Sequence, residues 1–142
     1  MERKKPFYAT PQDAEAAFYE ALERTDLEAM MSVWAEDEEI VCVHPTGPRL
    51  SGYAMVQESW RRIFGGSTRM KVQISNTVAL QGMLLSIHSV HENITLAGED
   101  NPRPPVVATN VYLRGPLGWR MLVHHASPAP PEVMPDLPKI LH

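Results

Sequence analysis

Six histidines and one cysteine are the side chains with the widest chemical reach in this 142-residue sequence. Cys42 lies between Val41 and Val43. A thiol in such surroundings reads as a small buried hydrophobe, and a lone one allows neither an internal disulfide nor a cysteine metal cluster. His88 and His91 are three positions apart, so on one strand they point to opposite faces, and adjacent His124 and His125 diverge in the same way. No acid is spaced to complete a site with them, so no metal is expected, and no cofactor either. His125 shares its parity with the apolar Trp119, Met121 and Val123, which predicts that it reaches the mouth of any interior space. His44 stands directly before Pro45 in a tight loop, where an imidazole either bonds nearby backbone or faces a site.

Composition narrows the classes. Apolar residues make up 44% and charged residues 21% of the chain, with a formal charge of −4. These values fit one globular domain and exclude wholesale disorder. The basic residues, among them Arg61, Arg62, Arg69 and Lys71, are scattered rather than gathered in a stripe, so no nucleic-acid partner is expected. No stretch approaches the roughly 18 apolar residues of a membrane span, and the charged start has no apolar run behind it. A soluble cytoplasmic protein is the expectation.

The elements that must position these groups follow from periodicity. Thr10-Pro11-Gln12-Asp13 offers an N-cap, a proline at the first helical position and an acid in the first turn. Ala14, Ala17, Phe18, Ala21 and Leu22 then keep the rhythm of an amphipathic helix. Thr25-Asp26-Leu27-Glu28 matches a capping box, with Thr25 as the cap, followed by a stripe of Leu27, Met30, Met31 and Trp34. A β-branched run over 40–43 ends in a rigid loop over 44–48. A third helix is predicted from near Gly52, with Val56, Trp60, Ile63 and Phe64 on one face and Gly65-Gly66 as its stop. Strands are predicted over 70–80, 83–96, 106–114 and 119–127, joined as an antiparallel meander. Residues 1–9 read as an N-terminal extension, 10–128 as the domain and 129–142 as a proline-rich tail.

Helices followed by strands indicate an α+β domain: three N-terminal helices packed on a strongly curved, mainly antiparallel sheet. A hollow between the two layers is where function would reside. Phe18, Trp34, Trp60 and Phe64 lie on the helical apolar faces, as core or as walls of that hollow. The methionines at 30, 31, 55, 83 and 121 add soft apolar surface.

Asp26-Leu27, Trp34-Ala35-Glu36-Asp37, Val43-His44-Pro45, Leu50-Ser51-Gly52, Ser59-Trp60 and the closing Gly118 to Pro128 occur in an order that resembles the SnoaL-like branch of the nuclear transport factor 2 superfamily. The resemblance covers roughly residues 10 to 128 and implies a cone-shaped half-barrel with a pocket at its mouth. It also implies a homodimer, prompted by a long sheet with one open face. In the ketosteroid isomerases of that superfamily the chemistry belongs to an aspartate base, a tyrosine and a protonated aspartate. Their positions fall here on His44, Phe18 and Asn110. Phe18 cannot donate a hydrogen bond, and Tyr19, one step along the helix, is turned by about 100°. Placing Asn110 inward also places Ala108 and Tyr112 inward.

The isomerase carboxylates are therefore missing from the inferred pocket, which argues against a ketosteroid isomerase. His44 is the candidate base and Asn110 the candidate oxyanion donor, for proton abstraction next to a carbonyl or for water activation. Phe18, Trp34, Trp60, Phe64, Tyr112 and His125 are the candidate ligand contacts. The expected ligand is an apolar, carbonyl-bearing small molecule. The competing reading is a binding or assembly module without catalysis, and its mark is a cavity filled by Trp60 and Phe64.

Overall fold

The computed structural model describes residues 5–66, 69–99 and 103–130. The chain runs through α1 (Pro11–Arg24), α2 (Leu27–Val33), β1 (Val41–Val43), β2 (Arg49–Ser51), α3 (Tyr53–Phe64), β3 (Met70–Gln81), β4 (Leu85–Leu96), β5 (Val106–Gly115) and β6 (Gly118–Pro128). The six strands form one sheet in the order β2-β1-β6-β5-β4-β3. The α+β half-barrel expectation is met: three helices lie against one mainly antiparallel sheet. The tail read over 129–142 lies, from residue 131 on, outside the described residues.

The first helix starts as its sequence predicts. Thr10 Oγ1 accepts from the Asp13 amide at 3.0 Å, and Pro11 occupies the first turn. The second cap differs by one residue. Asp26, not Thr25, caps α2, its carboxylate accepting from the Ala29 amide at 3.0 Å. Thr25 ends α1 in the left-handed region (φ 51°), so the chain reverses there and the capping role passes to the next residue.

Two strand features exceed the sequence reading. The loop over 44–48 leads into the short β2, which pairs antiparallel with β1, and β1 itself pairs parallel with β6 through Val41↔Val123, Cys42↔His124 and Val43↔His125. A bulge then interrupts β6. Val111 faces Val123 but Tyr112 faces Met121, so Leu122 is the extra residue and the inward parity changes across it. Met121 is inward before the bulge and His124 after it.

The N-terminal side of β6 is flanked by chain rather than by β1. Tyr8 bridges to Gly118, with the Trp119 amide donating to the Tyr8 carbonyl at 2.9 Å, and the Ala35 amide donates to the Met121 carbonyl at 2.9 Å. Residues 5–9 thus pack on the sheet edge. Gly118 permits this at φ 89°: a Cβ there would sit 2.5 Å from the Tyr8 carbonyl oxygen. Between helices and sheet lies a core of Phe18, Met30, Trp34, Ile40, Trp60 and Met121.

Candidate functional site

The interior face of β4, β5 and β6 carries polar side chains in register. On β4 the inward set is Ser86, His88, Val90 and Glu92; on β5 it is Ala108, Asn110 and Tyr112; on β6 it is His124. Opposite them, α1 buries two adjacent stripes, so Glu15 and Tyr19 enter the interior beside Ala14 and Phe18. Each polar residue in this layer is at most 6% exposed. Such groups persist in a core only when they satisfy one another.

Two hydrogen-bonded chains do so. In the first, the Asn110 amide oxygen takes the His124 Nδ1 proton at 2.6 Å, Asn110 Nδ2 donates to the Tyr19 oxygen at 2.9 Å, and the Tyr19 hydroxyl donates to Glu92 Oε2 at 2.6 Å. In the second, His88 Nδ1 and the Tyr112 hydroxyl both donate to Glu15 Oε2, at 3.0 and 3.1 Å. Asn110 Nδ2 also approaches that oxygen, at 3.5 Å, and joins the two chains. With Nδ1 turned to the carboxylate, His88 Nε2 lies at hydrogen-bonding distance from the Ser86 hydroxyl, at 2.9 Å.

Burial sets the electrostatics. It pushes the Glu92 carboxyl up to about 6, an effect reinforced by Glu15 and opposed by the Tyr19 hydroxyl. It pulls His124 down to about 3, helped by His44 and His125, so this imidazole is neutral. The Tyr19 and Tyr112 hydroxyls are raised, first by burial and then by the nearby carboxylates, and serve as donors rather than bases. Ser86, His88 and Glu15 follow the nucleophile–base–acid order of a hydrolase triad. Ser86 is 0% exposed, however, and no acyl donor reaches it in this arrangement. The chain of contacts anchors α1 to the sheet.

His44 lies apart from this network. Ser59 Oγ donates to the Val56 carbonyl at 2.8 Å, so at 3.0 Å from His44 Nε2 it receives that nitrogen's proton. Nδ1 is then the ring's acceptor, with no hydrogen-bond partner among the described residues. Burial lowers the His44 pKa and keeps the ring neutral. The ring meets Trp60 edge-on at 4.7 Å and lines a groove of about 650 Å³ with Pro48, Leu50, Met55, Ser59 and Ile63. Cys42 Sγ lies 3.6 Å from His44 Nε2, but burial pushes its thiol up to about 12, in keeping with a small buried hydrophobe.

The predicted pairing of His44 with Asn110 is not what the fold builds. Trp60 is 2% exposed and packs on His44, Phe18 and His124, with centroids at 4.7, 5.7 and 6.3 Å, while Asn110 spends its amide on Tyr19 and His124. Phe18, Trp34 and Tyr112 are fully buried core, and Phe64 packs on Trp60 from the rim. Ala108 and Tyr112 do share the inward face with Asn110. His125 is exposed and His124 takes the interior place, because the bulge at Leu122 reverses the regular alternation that would point His125 inward. The interior is also not free of carboxylates. Glu15 and Glu92 enter from α1 and β4, and Tyr19 reaches inward because the buried face of α1 is wide enough for two adjacent residues. A sequence signal existed: Glu15, Tyr19 and Leu22 repeat at i, i+4, i+7, and Glu92 shares the parity of His88.

Matching of the chain against family models gives a SnoaL-like domain over residues 12–131. The chain belongs to the SnoaL-like family. Among solved structures, this SnoaL-like chain is 43% identical to a Thiobacillus denitrificans protein named as a calcium/calmodulin-dependent protein kinase type II association domain, covering 88% of this chain and 99% of that one at a TM-score of 0.84. A Streptomyces avermitilis protein of the NTF2-like family, named as a dehydratase, is 33% identical over 82% of this chain and 91% of its own, with a TM-score of 0.75. A Parabacteroides distasonis structure named for ketosteroid isomerase shares 18% identity over 92% of this chain and 96% of its own at a TM-score of 0.68, a likeness of fold alone. The Arabidopsis thaliana F-box protein SKIP8 is 26% identical over 128 residues, 87% of this chain; the chain spans about half of that relative's length (52%). No helix of the described residues is long and apolar enough to cross a membrane.

Proposed function

We propose that this SnoaL-like protein takes an apolar, carbonyl-bearing small molecule into the groove beside α3 and uses His44 as its general base. One observation carries the reading: Ser59 fixes the neutral His44 ring with Nδ1 as its unpaired acceptor, in a groove walled largely by apolar side chains. A base in that state takes a proton from the carbon next to a carbonyl and leaves an enolate. The enolate is either reprotonated elsewhere or expels a β-hydroxyl, which leaves as water with a proton. The dehydratase name carried by the Streptomyces relative supports the second course. The interior hollow is taken up by Trp60, with Phe64 packed on it, so this scheme uses the outer groove alone, and Asn110, its amide committed to the interior, has no part in it.

The test is a thermal-shift screen with aromatic and steroid-like ketones on the natural protein, His44→Ala and Asn110→Ala, followed by NMR of α-proton exchange into deuterated water. The expected result is a ketone that stabilises the natural protein, exchanges its α-protons there, and loses that exchange in His44→Ala. Equal stabilisation and equal exchange in His44→Ala would remove His44 from the function.

A second reading rests on a different observation. The outward face of the sheet carries an apolar row, Leu80, Ile87, Val111, Val123 and Val41, across five strands, and Ile87 and Leu80 are 42% and 71% exposed. A second copy of the chain is the natural cover for such a face, and the association-domain name of the Thiobacillus relative points the same way. On this reading the protein is a homodimeric assembly module. Sedimentation velocity tests it, and a monomer throughout the micromolar range would end it.

A further inference from the structure

Arg120 is an unusual cation in this chain. Its neighbours on β6 before the bulge are Trp119 and Met121, and its register partner is Leu113, so the guanidinium lies on the outward side, away from the interior network. It is nonetheless only 7% exposed. Nη2 donates to the Pro6 carbonyl, and the guanidinium carbon sits 4.9 Å from the centre of the Tyr8 ring. Nη1 is buried and has no hydrogen-bond partner among the described residues. A buried guanidinium edge without an acceptor is costly, which makes it a standing demand for an oxygen ligand.

The surroundings say which kind. Arg120 lines a groove of about 400 Å³ with Lys5, Glu36, Leu113, Pro116 and Leu117. Two cations and one carboxylate face it, and Lys5 is ion-paired with Glu36. The remaining positive charge matches one negative charge, while Glu36 disfavours a dianion such as phosphate. The β5–β6 turn supplies the apolar wall, with Leu117 58% exposed. A guanidinium edge beside an apolar wall is complementary to a carboxylate on a hydrocarbon body.

We propose that this groove is a carboxylate-binding site: Arg120 receives the acid group of a small apolar carboxylic acid, Lys5 supports it from the rim, and Leu113, Pro116 and Leu117 hold the hydrocarbon. Since Nη1 is itself closed to solvent, binding requires side-chain movement in the groove lining, where Lys5 is half-buried and Glu36 exposed. The site is separate from the His44 groove and does not depend on the function proposed there. The same chemistry is presented by a free acid and by the C-terminus of a peptide.

Isothermal titration of the full chain with hexanoate, with N-acetyl-leucine as a peptide-end mimic, and with hexanamide and inorganic phosphate tests the site. Saturable binding is expected for at least one of the two acids and not for hexanamide or phosphate; the tighter acid identifies the source. Arg120→Gln is expected to weaken binding about tenfold or more. Since Arg120 also holds Pro6 and Tyr8, Leu117→Glu provides the variant that leaves the fold intact, checked by circular dichroism, and it too should weaken binding about tenfold by setting a negative charge in the groove. Glu36→Gln is expected to tighten it about twofold to fivefold. Equal binding of hexanoate and hexanamide, no binding of either acid, or undiminished binding in Leu117→Glu would each overturn the proposal.

Discussion

On the face of the sheet that meets α1, Ser86, His88, Glu92, Asn110 and His124 are buried; on the opposite face, Leu80, Ile87, Val111, Val123 and Val41 form an apolar row that is half-buried or exposed. The two faces share the same strands and nearly exchange the compositions expected of inside and outside. The inner groups tolerate burial because each donor has an acceptor within the same layer, ending on Glu15 and Glu92. The outer groups have no such closure, and what they leave in contact with water is hydrocarbon. The inner face is therefore closed by the chain's own groups, whereas the outer face is closed by nothing among the described residues.

The largest break in this contrast is Glu15→Ala. It strips the acceptor from His88 and Tyr112 and the longer contact from Asn110, all in a sealed layer. The expected loss is about 3–5 kcal/mol of unfolding free energy, measured by urea denaturation. Glu15→Gln keeps an acceptor oxygen and should lose less. A loss below about 1 kcal/mol for the alanine variant would mean that the network is not what holds α1 to the sheet.

The next effect is on pH dependence. His124 is neutral in the fold, with its pKa down at about 3, so its contribution is full above about 6.5 and is lost as pH falls toward 3. Glu92 has the opposite sign. Its folded pKa of about 6 lies above the ordinary 4.5, so its contribution is full below 4.5 and is lost as pH rises through 6. Each group changes stability by about 1.4 kcal/mol per pH unit in its window. The two slopes cancel between about 4.5 and 6 and leave only the His124 loss below that range. Glu92→Gln should turn this plateau into a continuous decline on acidification, and His124→Gln should reverse the slope within it. Urea midpoints of the three proteins at half-unit pH intervals decide the matter. Identical pH profiles would show that these two groups do not control it.

The outer face is probed by Val111→Lys. The side chain projects away from the core, so the unfolding free energy of a monomer should move by no more than about 0.5 kcal/mol. If the proposed homodimer forms through this face, a charge in the middle of the apolar row should, in contrast, shift sedimentation from dimer to monomer. An unchanged dimer would place the interface elsewhere.

Much of this arrangement is legible in the residues. Thr10-Pro11 fixes the start of α1, and the long β-branched runs with their turn residues give β3 to β6 within a few positions. Strand parity puts Asn110, Ala108 and Tyr112 on one face because β5 itself runs without an extra residue. The site was less legible, for three physical reasons. β2 is three residues long and forms only because β1 lies beside it. The inward face of α1 is two stripes wide, so Tyr19 need not replace Phe18 to reach Asn110. A polar residue at a buried position, such as Glu15, carries no apolar periodicity to announce it; its partners on β4 and β5 are 73 and 97 positions away in the chain.

To these three reasons the bulge in β6 adds a fourth, and it yields the smallest expected effect. With regular alternation from Trp119, residue 125 would face the interior; with Leu122 inserted, residue 124 does, against Asn110. His125→Ala should therefore change the unfolding free energy by less than about 0.5 kcal/mol, since His125 is exposed and makes no side-chain hydrogen bond among the described residues. The near-null result is informative because the alternative register predicts a large one: an interior histidine truncated to alanine leaves a cavity and an orphaned Asn110 oxygen. A loss of about 2 kcal/mol or more in His125→Ala would mean that β6 runs without its bulge. In that case His124 would lie outside, and the inner and outer faces of the last strand would exchange places.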